Sequence, residues 1–148
     1  MSVIRVYQVD FMNRCIFCDI INRSKPAEIV YEDRFSIAFM DINPVTRGHL
    51  LLVPKKHFRI FSNLDDLTVK EMFSAGLRIS KAVRNSELKP EGLNLFLAEE
   101  AAGMQEIFHC HLHIIPRYSG DGFSLRIKYK DSLKLELGKT AELIRKEL

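Results

Sequence analysis

Phe108-His109-Cys110-His111-Leu112-His113-Ile114-Ile115-Pro116-Arg117 places three of the chain's five histidines at alternating positions with apolar residues between them. A spacing of two is that of a strand, whose successive side chains point to opposite faces. His109, His111 and His113 then share one face, neighbours about 6–7 Å apart, while Phe108, Cys110, Leu112 and Ile114 take the other. Pro116 has no N–H to give a ladder and should end it. Imidazole works unperturbed near neutral pH as nucleophile, base, donor or metal ligand. A lone histidine on a strand is more often a satisfied structural residue, but three in register behind an apolar back face point to a site.

Outward from that strand, the pattern predicts an α+β fold. Cys15–Ile21 reads as a short helix with Ile16, Ile20 and Phe17 inward, broken at Asn22 to Pro26. Ile29–Tyr31 and Phe35–Phe39 flank the charged turn Glu32-Asp33-Arg34 as a hairpin. Leu50–Val53 is a buried strand closed by Pro54. Residues 65–88 carry the strongest helix signal: Thr68-x-x-Glu71 resembles a capping box, and Val69, Met72, Phe73, Gly76, Ile79, Ala82 and Val83 form a stripe. Leu93–Leu97 is a further strand, a loop from Ala98 to Gln105 leads to the histidines, and the tail ends in a helix with Leu137, Ala141, Ile144 and Leu148 on one side. Strands around one dominant helix indicate an antiparallel meander.

The composition bounds the partners. A chain of 148 residues, 47% hydrophobic, is sized for one domain with its own core. The formal charge of +3 and pI near 8.8 suit a small anionic ligand and argue against nucleic acid. No apolar run reaches the ~18–20 residues of a membrane span, and the first fourteen residues lack a signal peptide's apolar core, so a cytoplasmic location is expected. Cysteines there stay reduced, which favours metal ligation by Cys15-x-x-Cys18 over a disulfide. Met12 reads as a functional start, making residues 1–11 an extension and residues 12–148 the single domain, with an added edge strand as the alternative for residues 1–11.

Four stretches together carry a resemblance: Cys15 to Ile21, Phe39-Met40-Asp41-Ile42-Asn43-Pro44, Gly48 to His57 ending in Lys55-Lys56-His57, and His109-Cys110-His111-Leu112-His113-Ile114-Ile115 followed by Pro116-Arg117-Tyr118. The chain resembles the histidine triad (HIT) family, whose signature His-φ-His-φ-His-φ-φ (φ apolar) it meets at every position. The resemblance implies that fold, and a homodimer with a sheet continued across the interface. It also implies His111 as nucleophile towards phosphorus, His113 as the contact to phosphate and leaving group, and Asp41 as acceptor for ribose hydroxyls. Ile42 would touch the base and Gln105 would lie near the phosphates.

The residues permit that chemistry. A central imidazole can form a covalent nucleotidyl-histidine that water then hydrolyses. Phosphoryl transfer needs chiefly alignment and charge stabilisation, so no catalytic metal is called for. One ion could not take all three histidines of a straight strand, since the first and third lie ~13 Å apart. Cys15, Cys18, His57 and His109 make instead a closed Cys2His2 set of the structural zinc type, as some relatives with this arrangement have. His49, opening a buried strand, is expected to play a structural part, and Cys110 to be a small core residue.

Three positions depart from the family pattern. Glu106 replaces a common Ser or Thr, Ala98 a common Asn, and Met104 a common Gly. The expected activity is hydrolysis or transfer at the α-phosphate of purine nucleoside phosphoramidates or adenylyl conjugates, with AMP as the nucleotide bound. Dinucleoside polyphosphate hydrolysis and a non-catalytic nucleotide sensor are the alternatives.

Overall fold

The structure, a computed structural model, describes residues 15–125 and 127–148. The proposed extension at residues 1–11 lies outside them. Three α-helices, α1 (Ile16–Ile21), α2 (Asp66–Asn85) and α3 (Leu137–Arg145), accompany five strands: β1 (Ile29–Glu32), β2 (Ser36–Met40), β3 (Leu50–Pro54), β4 (Gly92–Leu97) and β5 (Leu112–Arg117). All pairings are antiparallel, in the order β1-β2-β3-β5-β4. The fold is α+β, as the hydrophobic pattern indicated.

The β1–β2 hairpin turns where expected because Asp33 Oδ1 accepts the N–H groups of Phe35 (2.8 Å) and Ser36 (2.7 Å), an Asx turn. A register shift between Ile29 and Tyr31 bulges β1, which no alternation predicts. One sheet face packs on α2 through Ala38, Leu50, Leu52, Leu112 and Ile114 against Met72, Ala75, Ile79 and Val83. The other buries Ile37, Phe39, Leu51 and Val53 under Phe17 and Ile20 of α1. Strand alternation sorts the two sets, so residues 111, 113 and 115 fall on the α1 face.

Several expectations are corrected. Pro116 does not end the ladder: it pairs with Leu93 and the strand runs to Arg117. Its carbonyl accepts Thr46 Oγ1, which places its N–H side towards β3, whose pairing has already stopped at Leu50↔Ile114, so no ladder bond is lost. The strand also begins only at Leu112; Cys110 N–H is bonded to Phe58 O (2.7 Å), outside the ladder. The cap of α2 is Asp65, whose carboxylate accepts Thr68 N–H (2.8 Å), so Thr68 is the third helical residue and not the start of a capping box. That register turns Ala75 inward and leaves Phe73 and Ala82 exposed. Ile16 likewise faces out of α1. In α3 no residue is buried, and Leu137, Ile144 and Leu148 are exposed: helical period predicts a helix, not what covers it.

Candidate active site and metal centre

Each histidine of the row is assigned a different job by the hydrogen bond at its other nitrogen. His109 is wholly buried, and its Nε2–H donates to Pro54 O (2.8 Å). That leaves a lone pair on Nδ1, which lies 3.3 Å from Cys15 Sγ and 3.6 Å from Cys18 Sγ. Cys18 Sγ in turn stands 3.3 Å from His57 Nδ1. A tetrahedral ion with Zn–S of about 2.3 Å and Zn–N of about 2.0–2.1 Å puts sulfur and nitrogen about 3.5 Å apart. The observed separations match, all four ligand atoms lie within 4.8 Å of one another, and a carbonyl orients the buried imidazole as metal-binding histidines require. The four residues therefore fit zinc. Burial and the adjoining Cys15 push the Cys18 thiol up to about 11, so ion binding must displace a proton there. Burial pushes the His109 imidazole down to about 4, keeping it neutral.

His111 is also buried, and its Nδ1–H donates to the His109 carbonyl (2.7 Å). The lone pair is thereby fixed on Nε2, the nitrogen away from the backbone. Burial lowers the His111 pKa, partly offset by that carbonyl and by the charges of Asp41 and Glu106. Phe17 of α1 stands edge-on to it, ring centroids 5.2 Å apart. Phe17 lies between the two cysteines in the chain, so the metal set and the His111 ring are joined through the first turn of α1.

His113 lies beside His111, ring centroids 4.8 Å apart, and a partner the sequence had marked only as structural fixes its tautomer. Val45 N–H donates to His49 Nδ1 (3.3 Å), so the proton of His49 sits on Nε2, which contacts His113 Nδ1 at 2.9 Å. His113 accepts there and carries its own proton on Nε2. Burial, then His111 and His49, push its pKa down to about 4. Asp41 Oδ2 approaches His49 Nε2 at 3.5 Å, while Asp41 Oδ1 accepts Asn43 N–H (2.8 Å). Asp41, His49 and His113 are close enough for an ion, but the Val45 bond commits the His49 proton to the nitrogen a metal would need. His49 is thus hydrogen-bonded to His113 with the Asp41 carboxylate alongside, and no hydrogen bond reaches Asp41 Oδ2 among the described residues.

The remaining predicted residues divide. Ile42 stands beside Asp41 with 90% of its surface exposed, an apolar side chain at the lip of the site. Gln105 is buried with its amide consumed by the loop: Nε2 donates to Arg59 O (2.8 Å) and Ile107 O (3.0 Å), and Oε1 accepts Glu100 N–H (2.9 Å). It shapes the loop and offers no donor to a phosphate. Glu106 is exposed and Ala98 buried. Cys110, its thiol pushed up to about 12 by burial, sits in the core on the α2 side as expected. Sequence reasoning missed Phe17 and Phe96 as site walls; the ring of Phe96 lies 5.8 Å from that of His113. Only strand register and helix rotation reveal them.

Comparison with known proteins follows the same lines. The HIT domain pattern matches residues 22–120. A HIT-like protein of Borreliella burgdorferi, itself uncharacterized, is 42% identical over 89% of this chain and 94% of its own. Adenylylsulfatase HINT3 of Arabidopsis thaliana is 35% identical, covering 89% of this chain and 67% of its own. A crystal structure of a HIT family member from Bacillus subtilis superposes with a TM-score of 0.85 at 38% identity, over 91% of this chain and 97% of that one. A zinc-bound histidine triad protein from Mycobacterium smegmatis does so with a TM-score of 0.71 at 37% identity, over 88% and 96%.

Proposed function

The chain belongs to the histidine triad (HIT) family, and from that premise we propose that it is a nucleotide hydrolase acting at the α-phosphate of purine nucleoside phosphoramidates or related adenylyl conjugates. The observation that carries the reading is the bond from His111 Nδ1–H to the His109 carbonyl, which leaves Nε2 as a fixed, unprotonated nucleophile at neutral pH. That Nε2 forms a bond to phosphorus as the P–N bond breaks. The electron pair stays on the departing nitrogen, which takes a proton from solvent. Water then attacks phosphorus, the His111–P bond breaks, the nucleotide leaves with the new P–O bond, and the water returns one proton to solvent. His113 donates its Nε2–H to the charge that grows on the phosphoryl group or bridging atom, and contributes most where water is excluded.

Asp41 Oδ2 accepts from the ribose and Ile42 lies against the base. A zinc ion held by Cys15, Cys18, His57 and His109 supplies structure, pinning α1 and with it the Phe17 wall of His111. The adenylylsulfatase among the relatives supports an adenylyl conjugate as substrate, and the zinc-bound relative supports zinc as the ion. A second copy pairing along the open edge of β4, where Leu95 is exposed, would continue the sheet as the family resemblance implies.

A substrate panel at fixed enzyme concentration tests the activity. Faster hydrolysis of adenosine 5′-phosphoramidate than of diadenosine tetraphosphate is expected, and the reverse order would replace this reading with polyphosphate cleavage. Nucleotide binding without product would make the protein a sensor.

A further inference from the structure

Of the three free cysteines, two share the opening turn of α1 and the third stands apart. Cys110 is wholly buried on the α2 side of the sheet, whereas Cys15 and Cys18 keep part of their surface in water. Cys15 is the N-cap of α1, and its Sγ accepts the Cys18 N–H at 3.5 Å. Both sulfurs turn to one atom, His109 Nδ1, at 3.3 and 3.6 Å. On its outer side the Cys18 sulfur meets His57, an exposed side chain, so solvent reaches the pair through Cys18.

We propose that Cys15 and Cys18 form a reversible oxidation site: a hydroperoxide joins them in a disulfide, which opens the metal set and, through α1, withdraws Phe17 from His111. The loss of metal rests on the fit to zinc described above, and the slowing of hydrolysis on the role given to His111; the disulfide itself rests on neither.

The chemistry balances between the two sulfurs and the peroxide. Cys18 Sγ attacks one peroxide oxygen, the O–O bond breaks, and the departing alkoxide or hydroxide takes a proton to leave as alcohol or water. Cys15 Sγ then attacks the sulfur of the Cys18 sulfenic acid. The S–S bond forms as the S–O bond breaks, and the hydroxide takes a second proton to become water. Each sulfur gives up one electron and the peroxide takes both. Metal-bound sulfurs are thiolates already, the form that attacks.

Three features support the site. First, residues three apart on a helix are neighbours, within the Cα separation of about 4.4–6.8 Å that a disulfide spans, and the bond from Cys18 N–H shows the Cys15 sulfur turned towards its partner. Second, paired sulfurs carry no charge. Joining them takes both anionic ligands from the set and leaves His57 and His109, too few to hold tetrahedral zinc. Third, the change reaches the reacting histidine. The Phe17 ring stands edge-on to His109 and His111, centroids 5.9 and 5.2 Å away, and Phe17 and Ile20 are the buried side chains of α1. Thiol reductants return such a pair to thiols, the behaviour of transient, redox-sensing disulfides.

The test treats the zinc-loaded protein with a small excess of hydrogen peroxide. It follows zinc released to a chromogenic chelator, the linked cysteine peptide by mass spectrometry, hydrogen exchange of the α1 amides, and kcat/KM for adenosine 5′-phosphoramidate. A disulfide should map to Cys15 and Cys18, with Cys110 still open to alkylation after unfolding. Zinc should leave in step with it, the α1 amides should lose protection, and kcat/KM should fall about tenfold. A thiol reductant with added zinc should restore them all. Cys15→Ser should lose that recovery, because Cys18 then has no partner and passes on to sulfinic acid; should the variant not fold, the wild-type peptide map decides alone. Protein that takes up no zinc refutes the metal assignment, and phosphoramidate left uncleaved refutes the hydrolysis, while the peptide map and α1 exchange still decide the switch. Oxidation confined to Cys110, thiols at Cys15 and Cys18 that survive the peroxide, or a disulfide that leaves α1 protection unchanged would overturn it.

Discussion

Removing the metal should undo α1 before anything else. The helix has six residues, and ordering their backbone costs roughly 1–2 kcal/mol each, about 6–12 kcal/mol together. Against that, α1 buries two apolar side chains, Phe17 and Ile20, each contributing about 1.5–3 kcal/mol. Packing alone therefore falls short, and the ligands Cys15 and Cys18 make up the difference only when an ion ties them to His57 and His109. An ion present at a thousand times its Kd adds about 4 kcal/mol to folding stability. In a chain of this size each kcal/mol moves Tm by about 2–4 °C, so a chelator should lower it by roughly 8–16 °C. Hydrogen exchange should show the α1 amides losing protection while α2 and β3 keep theirs, and Cys18→Ser should reproduce both effects with chelator absent. Calorimetry in buffers of different ionisation enthalpy should find proton release as zinc binds near neutral pH, with the Cys18 thiol giving up one and the already neutral His109 none. If metal is stripped to completion while Tm and α1 protection stand unchanged, the clamp reasoning is wrong.

Further predictions concern the other parts of the molecule. Because burial holds His111 below its ordinary 6.5, its Nε2 should stay unprotonated at neutral pH and kcat/KM should be level from about pH 7 to 8, falling in acid. Burial pushes His113 down to about 4 from the same ordinary value. For the same reason the unfolded chain binds this proton more readily than the folded one. The stability is whole above about pH 6.5 and lost as pH falls towards 4, by on the order of 1–2 kcal/mol after solvent screening, measurable by urea titration across that window. Asp41→Asn should lower kcat/KM about 10–100-fold while a deoxyribose analogue loses less, because the charge that accepts the hydroxyls is gone. Two glycines should answer oppositely to alanine in thermal melts. In α2, Gly76→Ala meets only side-chain tips, Leu112 Cδ2 at 3.4 Å and Leu52 Cδ2 at 3.6 Å, and should gain about 0.5–1 kcal/mol. Gly48→Ala, at φ +91° with Leu88 Cδ1 at 2.8 Å, should cost about 2 kcal/mol and disturb the adjoining His49.

What the sequence disclosed depended on whether a local rule was the deciding one. The alternation of His109, His111 and His113 put all three on one face because strand geometry is a local property, and the Cys15-x-x-Cys18 and His57 spacing named ligands that the fold then brought together. Pro116 misled because its exemption depends on where a neighbouring strand stops, and Thr68 because Asp65 competes for the same cap. Gln105 was placed near the phosphates by resemblance, yet its amide is consumed by three backbone groups that only the folded loop assembles. The structural part of His49 was legible from its place at the head of a buried strand, but its partner was not, since His113 lies 64 residues away in the chain.

The central claim is that His111 Nε2 bonds covalently to phosphorus. Rapid-quench mass spectrometry during turnover of adenosine 5′-phosphoramidate should find one adenylyl group per chain, mapped by fragmentation to His111 and absent in His111→Ala. Turnover with no adduct on any histidine, or an adduct that survives in His111→Ala, would contradict it.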